Sequence, residues 1–326
     1  MIQISKFQEL LVHRKQSDFS SVVAIGNFDG MHVGHQKLVE FIASKSKELS
    51  AKSLAFTFAP HPRIFFGALE ANELLFTENE KNLALESLGI DIHLAQEFDK
   101  DFQSLTPEEF VETVLIKALN ASYVVIGDNF KFGHNRKGNS EWLKETLKEK
   151  GIGCKVISDI LHTDSNTISS TAIRSEIEAG NIEKANCLLG YSYSIKSIVD
   201  KGNQQGTSLG FSTANIKELP KKSPGKGVYV TLTKLDSGVV YQSVTNCGTR
   251  PTITNDKQIT IESHLLVESE VPALYGKTMR VYFLARLRDE VKFDNKEQLQ
   301  KQVAADIAAA KKYFLNNQPI VGRYGI

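Results

Sequence analysis

Gly26-Asn27-Phe28-Asp29-Gly30-Met31-His32-Val33-Gly34-His35 is the stretch on which the fold of this chain turns. The run before it, Ser21-Val22-Val23-Ala24-Ile25, is short, apolar and β-rich, and the residues after it carry helical spacing, so the stretch lies where a strand hands over to a helix. In an open α/β sheet that junction is where ligands bind. Its glycines permit a tight turn and close approach of backbone to a ligand, and the free N–H groups of a helix start favour phosphate oxygens. His32 and His35 share the first helical turn and can donate hydrogen bonds to phosphate charge as it develops. That is equipment for displacement at phosphorus without a protein nucleophile. A single histidine near a helix start is more often structural; the ten residues together carry the chemistry.

Outward from the stretch, short apolar runs (SVVAIG, SLAFTF, YVVIG, CKVI) alternate with helical segments from Ser21 to about Ile160. The alternation predicts βαβ units around a parallel sheet. In GHQKLVEFIASKSKEL, Leu38, Phe41, Ile42 and Leu49 recur at helical spacing and are expected to bury against that sheet. Around Leu189 to Tyr193 the period changes. The runs YSIKSIV, GVYVTLTKL, VVYQSVTN, ITIESHLLV and MRVYFLARL, separated by turn-prone KGNQQG, LPKKSPGKG and ITNDKQ, predict an antiparallel barrel. A closing helix follows, with Leu299, Val303, Ile307 and Phe314 on one face and Asp294 or Asn295 as its cap.

Bulk composition narrows the class. A length of 326 residues suggests two globular units at roughly 150 residues each, and 41% hydrophobic with 24% charged residues is the make-up of a chain with a real core. Lys+Arg number 39 against 38 Asp+Glu, a net charge of +1, so no broad field attracts nucleic acid or an anionic membrane, and any anion site must be local. Cys154, Cys187 and Cys247 are odd in number and far apart, unlike a zinc site or a disulfide framework. The N-terminal residues have no apolar signal core and no stretch reaches the roughly 18 apolar residues of a spanning helix, so a cytoplasmic protein is expected.

A second anion site is indicated at Ile168-Ser169-Ser170-Thr171-Ala172-Ile173-Arg174. Ser169, Ser170 or Thr171 would cap the helix that follows, and Arg174 would reach from its first turn towards a phosphate; a plain cap with a solvated arginine is the alternative.

GNFDGMHVGH and ISSTAIR together are similar to the HxGH nucleotidyltransferase signatures in the form found in prokaryotic FAD synthetases. Thr57-Phe58-Ala59-Pro60-His61-Pro62-Arg63, Gly127-Asp128-Asn129-Phe130-Lys131-Phe132-Gly133 and the RKGN at Arg136 to Asn139 extend the likeness over nearly the whole first half. The resemblance implies a Rossmann-like domain in which His32, His35 and Arg174 act on the transferring α-phosphoryl group. Gly26, Asn27, Phe28, Gly34, Ser169, Ser170 and Thr171 would hold the ATP phosphates, and Phe58, Pro60, His61, Arg63, Asn129, Phe130 and Phe132 would line the flavin pocket. FMN and ATP would be substrates, FAD the product, with Mg²⁺ accompanying ATP.

The second half resembles the riboflavin kinase module of the bifunctional bacterial enzymes, through Leu209-Gly210-Phe211-Ser212-Thr213-Ala214-Asn215, Gly227-Val228-Tyr229, Asn246-Cys247-Gly248-Thr249-Arg250-Pro251-Thr252, Glu262-Ser263-His264-Leu265-Leu266 and Leu287-Arg288-Asp289-Glu290-Val291-Lys292-Phe293. It implies domains at 1–186 and 187–326. In the second, Gly210, Thr213 and Asn215 would hold ATP and Mg²⁺, Glu262 would be the base on riboflavin, and Arg288 would contact flavin. The chain departs from the pattern at Ser212, where the family has proline, at the loop around Gln204 and Thr207, which lacks the usual basic residues, and at Val267, where an acid is frequent. These departures raise the expectation of a weakened or degenerate kinase half. Two further alternatives are a different acceptor, pantetheine phosphate or nicotinamide mononucleotide, and a flavin-binding regulatory protein without catalysis. Small molecules are the expected partners; the oligomeric state is not legible.

Overall fold

The computed structural model describes residues 1–16, 19–157, 162–163, 166–200, 213–216, 219–251, 257–267, 274–319 and 323–325. They form two compact units: Met1–Glu70 with Phe76–Ser170 and Tyr324–Ile326, and Ala71–Leu75 with Thr171–Arg323.

The first unit is a parallel sheet of six strands: β1 (Ile2–Ile4), β2 (Ser21–Ile25), β3 (Lys52–Ala59), β4 (Ile92–Glu97), β5 (Ala121–Gly127) and β6 (Gly153–Ile157), in the order β1-β4-β3-β2-β5-β6. Every pairing is parallel. β2 sits inside the sheet and is buried at all five positions, which is why it reads as an unbroken apolar run rather than an alternating one. Four helices of the unit are α1 (Phe7–Gln16), α2 (Val33–Glu48), α3 (Glu78–Ser87) and α4 (Ser140–Glu149). Leu38 and Ile42 of α2 are buried as expected and Phe41 is half-buried. Leu49 is not: it is the C-cap, one residue beyond the helix, and 39% exposed, because the chain turns there towards β3. Sequence reading also passed over β1 and β4, a three-residue strand and one whose apolar positions are interrupted by His93 and Gln96.

The second unit includes α5 (Ser170–Ala179) from Thr171 onward and α6 (Ile182–Leu189), the latter closed by Gly190 in the left-handed conformation at φ 74°. Six antiparallel strands follow: β7 (Ser194–Ile198), β8 (Thr213–Ile216), β9 (Gly227–Leu235), β10 (Val240–Pro251), β11 (Lys257–Leu265) and β12 (Thr278–Arg288), ordered β7-β12-β9-β10-β11-β8. The sheet curls into a half-barrel. Its two edges meet just past β7, where the Asp200 N–H donates to the Asn215 carbonyl at 2.8 Å.

Alternation within β9 sorts its two faces. Val228, Val230 and Leu232 join Val244, Tyr282 and Leu284 in an apolar cluster with Ala310, against which Ile307, Tyr313 and Phe314 of α7 (Lys296–Asn316) pack. On the opposite face Thr231, Thr233, Ser243, Thr245 and Ser263 are fully buried and bond to one another, as in Thr231 to Thr245 at 2.6 Å and Thr233 to Ser263 at 2.9 Å. Buried hydroxyls persist there because they satisfy each other. The cap of α7 is Asn295, whose side chain accepts the Gln298 N–H at 2.9 Å. Among the described residues no helix is long and apolar enough to cross a membrane.

Candidate functional site

In the first unit the Gly26–His35 stretch leaves β2 and enters α2 through three demands on the backbone. Phe28, Gly30 and Met31 have φ of 49°, 78° and 39°, so two non-glycine residues adopt a conformation that usually carries strain of order 1–3 kcal/mol. Burial over-determines it: Phe28 and Met31 are fully buried, the Asp29 carboxylate accepts the Phe76 N–H at 3.0 Å, and Ser170 Oγ donates to the Asp29 carbonyl at 2.8 Å. His32 caps α2, its Nδ1 accepting the His35 N–H at 3.3 Å. The imidazoles of His32 and His35 stack with centroids 3.6 Å apart, and the Phe28 ring meets His35 edge-on at 5.2 Å. Gly34 makes room for this: a Cβ there would lie 3.2 Å from Nδ1 of His32.

Burial sets the charge of the pair. It pushes the His32 ring down to about 4, and it holds His35 well below the usual histidine range, with the charges of His32 and Lys81 adding to the effect. Both rings are neutral at pH 7. With Nδ1 of His32 accepting, its proton lies on Nε2. Asn27 Oδ1 and His35 Nδ1 are buried without a hydrogen-bond partner, and orphaned polar atoms of this kind are rare away from ligand sites.

Around Phe58 the structure assembles rings that sequence reading did not single out. Phe58 contacts Phe56, Phe98 and Phe102 at 5.2, 5.6 and 5.8 Å, and Phe98 continues to Phe65 and Phe66 at 5.2 and 5.9 Å. Phe66 is 58% exposed, so an aromatic ladder runs from the core to solvent. The signal was the Phe65-Phe66 pair beside Pro60-His61-Pro62. Pro60 follows a cis peptide bond, His61 Nδ1 accepts the Arg63 N–H at 3.1 Å, and the Arg63 guanidinium donates to the Ala68 carbonyl. Asn129 is exposed and Phe130 half-buried. Phe132 is buried among Phe110, Phe130 and Trp142.

Within the second unit Arg174 is 8% exposed and donates to Thr171 Oγ1 at 3.2 Å. Register brings the kinase candidates together: β8 lies antiparallel to β11 with Asn215 opposite Glu262 and Thr213 opposite His264, and Asn246 of β10 flanks Glu262 from the other side. Residues paired in this way point to one face of the sheet. His264, two residues along that face from Glu262, lines a cavity of about 570 Å³ with Gln242, Leu266, Ile307, Lys311 and Phe314, and Val267 borders it too. Arg288 forms a two-point ion pair with Asp306 of α7. Gly210, Ser212 and the loop around Gln204 and Thr207 lie outside the described residues.

Family models identify what these sites resemble: FAD synthetase matches residues 14–172, and riboflavin kinase matches residues 189–314. Relatives named bifunctional riboflavin kinase/FMN adenylyltransferase come from Haemophilus influenzae, 35% identical over 90% of this chain and 94% of that protein, and Bacillus subtilis, 33% identical over 93% and 95%. The chain belongs to this family. Its relative from Escherichia coli strain K12 is 32% identical over 91% of this chain and 94% of that one. A crystal structure named macrolide-efflux protein from Streptococcus pneumoniae has the same fold, with a TM-score of 0.82 and 28% identity over 95% of this chain and 98% of that one.

Family membership makes the chain a transferase with an FAD synthetase domain and a riboflavin kinase domain. The expectation of a degenerate kinase half, raised by Ser212, Thr207 and Val267, finds no support in these matches, nor does a flavin-binding protein without catalysis. Among the described residues no cluster of three or more His, Cys, Asp or Glu side chains is placed to cage a metal. Thr213 and Asn215 offer a hydroxyl and an amide oxygen, hard donors of the kind that suit Mg²⁺.

Proposed function

We propose that the chain phosphorylates riboflavin to FMN in its second half and joins FMN to the AMP part of ATP in its first half, forming FAD and pyrophosphate. The observation that carries the reading is the neutral, buried His32/His35 stack beside the orphaned Asn27 side chain. It supplies hydrogen-bond donors in a dry turn where a triphosphate can bind.

In the adenylyl transfer an oxygen of the FMN phosphate attacks the α-phosphorus of ATP, and the bond to the β-phosphate bridging oxygen breaks. The nucleophile is already an anion at neutral pH, so no strong base is needed, and alignment and charge neutralisation carry the rate. His32 and His35 donate to the oxygens on which charge grows. Gly26, Asn27, Phe28, Gly34, Ser169, Ser170, Thr171 and Arg174 hold the phosphates. The aromatic ladder at Phe58, with Pro60, His61, Arg63, Asn129, Phe130 and Phe132, receives the flavin ring.

In the kinase step Glu262 takes the proton of the riboflavin 5′-hydroxyl as that oxygen attacks the γ-phosphorus, the bond from that phosphorus to the β–γ bridging oxygen breaks, and ADP leaves. Thr213 and Asn215 would hold Mg²⁺ with the ATP end, and the ion would offset phosphate charge there. The cavity lined by His264 and α7 takes the apolar flavin. We place the boundary between the halves at 186/187.

Incubation of purified protein with ATP, Mg²⁺ and either riboflavin or FMN, followed by chromatography of the flavins, tests both steps. FAD from FMN and FMN from riboflavin are expected. No FAD from FMN sinks the adenylyl-transfer reading, and FAD from FMN with nothing from riboflavin sinks the kinase reading.

A further inference from the structure

The cavity lined by His264, two residues along β11 from Glu262, has one wall built by α7, through Ile307, Lys311 and Phe314. That helix is docked by two kinds of contact. Ala310, Ile307, Tyr313 and Phe314 pack on the apolar face of the half-barrel. One turn earlier, Arg288 at the end of β12 donates from Nε to Asp306 Oδ1 at 2.9 Å and from Nη2 to Oδ2 at 2.7 Å. The fork is held from both sides: Gln302 Nε2 donates to Asp306 Oδ1 at 2.9 Å, and Arg288 Nη1 donates to the Asp289 carbonyl at 2.8 Å. Asp306 is 5% exposed.

The two contacts do different work. Apolar packing is non-directional and tolerates a small rotation or slide of a helix, whereas a two-point guanidinium–carboxylate fork fixes orientation as well as distance. Asp306 precedes Ile307 directly, and Lys311 and Phe314 follow within about two turns, so a rotation of α7 moves all three cavity residues together. The fork therefore sets the shape of the cavity more than it sets whether the helix stays docked.

We propose that Asp306 is a positioning residue for riboflavin phosphorylation, acting through Arg288 to fix the rotation of α7 and with it the wall of the cavity that His264 lines. The inference rests on the kinase reading above. Arg288 then serves the flavin indirectly, by holding the helix.

The test compares the parental protein with Asp306→Asn, which removes the charge at nearly constant shape, and Arg288→Lys, which keeps the charge and removes the fork. In both variants KM for riboflavin is expected to rise by about tenfold or more, with KM for ATP within about twofold of the parent and FAD formation from FMN unchanged. Titration of riboflavin fluorescence without ATP should show the same loss of affinity. An unchanged riboflavin KM overturns the proposal, as does a parallel rise in both KM values with a broadened thermal melt, the mark of general loosening. Should Asp306→Asn fail to fold, Asp306→Glu, which keeps the charge and displaces the fork without touching Arg288, decides. A parental protein that makes FAD from FMN but neither binds nor phosphorylates riboflavin fails the kinase reading itself.

Discussion

His32 and His35 are neutral because they are buried, and neutrality is what an incoming polyanion changes. A triphosphate beside the rings favours their charged form and raises their pKa from the depressed position. ATP binding near pH 6 is therefore expected to take up protons, read as a dependence of calorimetric binding heat on buffer ionisation enthalpy; no dependence would remove the rings from the phosphate site. Gly34→Ala places a methyl 3.2 Å from the His32 ring, so it is expected to reduce FAD formation from FMN by tenfold or more and to leave FMN formation alone. Stability follows the same groups. Burial holds His32 at about 4 and His93, bonded to Thr57, at about 3, while the unfolded chain binds these protons near 6.5. The unfolded state thus holds more protons below 6.5, and the stability these rings contribute is complete above that pH and lost as pH falls towards 4 and 3. Urea midpoints should drop between pH 7 and pH 5, and His93→Gln should flatten part of that fall.

At the scale of elements, each site depends on how a strand or turn is anchored. Asp29 ties the β2–α2 turn to the segment before α3 by accepting the Phe76 N–H. Asp29→Ala removes that bond from a buried N–H and is expected to cost roughly 1–3 kcal/mol in urea unfolding. The β8–β11 register sets Asn215 beside Glu262, so Glu262→Gln, which keeps the shape and removes the proposed base, should lower the riboflavin kinase kcat by about 10²–10⁴ with little change in stability. A pH-independent residual rate equal to that of the parent would remove Glu262 from the base role.

Across the whole molecule the proposed reading gives the two chemistries different residues, and they should separate. His32→Ala is expected to abolish FAD formation while FMN still accumulates from riboflavin, and Glu262→Ala to do the reverse; loss of both products in a folded single variant breaks the two-site assignment. Much of this was legible in the chain. Strand-to-helix handover, the change of period near Leu189 and the HxGH string are local patterns, and local spacing alone determines them. What the sequence could not show depends on which distant segments pair. β1 and β4 are short or interrupted runs that become strands only by lying beside β3 and one another. TANI, read as a motif, is strand β8, because β11 supplies its hydrogen bonds and Asp200 its closing bridge. The aromatic ladder from Phe56 to Phe66 and the Arg288–Asp306 fork join residues far apart in sequence or in different elements, and no local period marks them. The sequence by itself determined the residue types and the turns that present them; tertiary packing decided which rings are dry and neutral, which carboxylate faces Asn215 and which one holds α7, since burial and register are properties of neighbours that only the folded chain brings together.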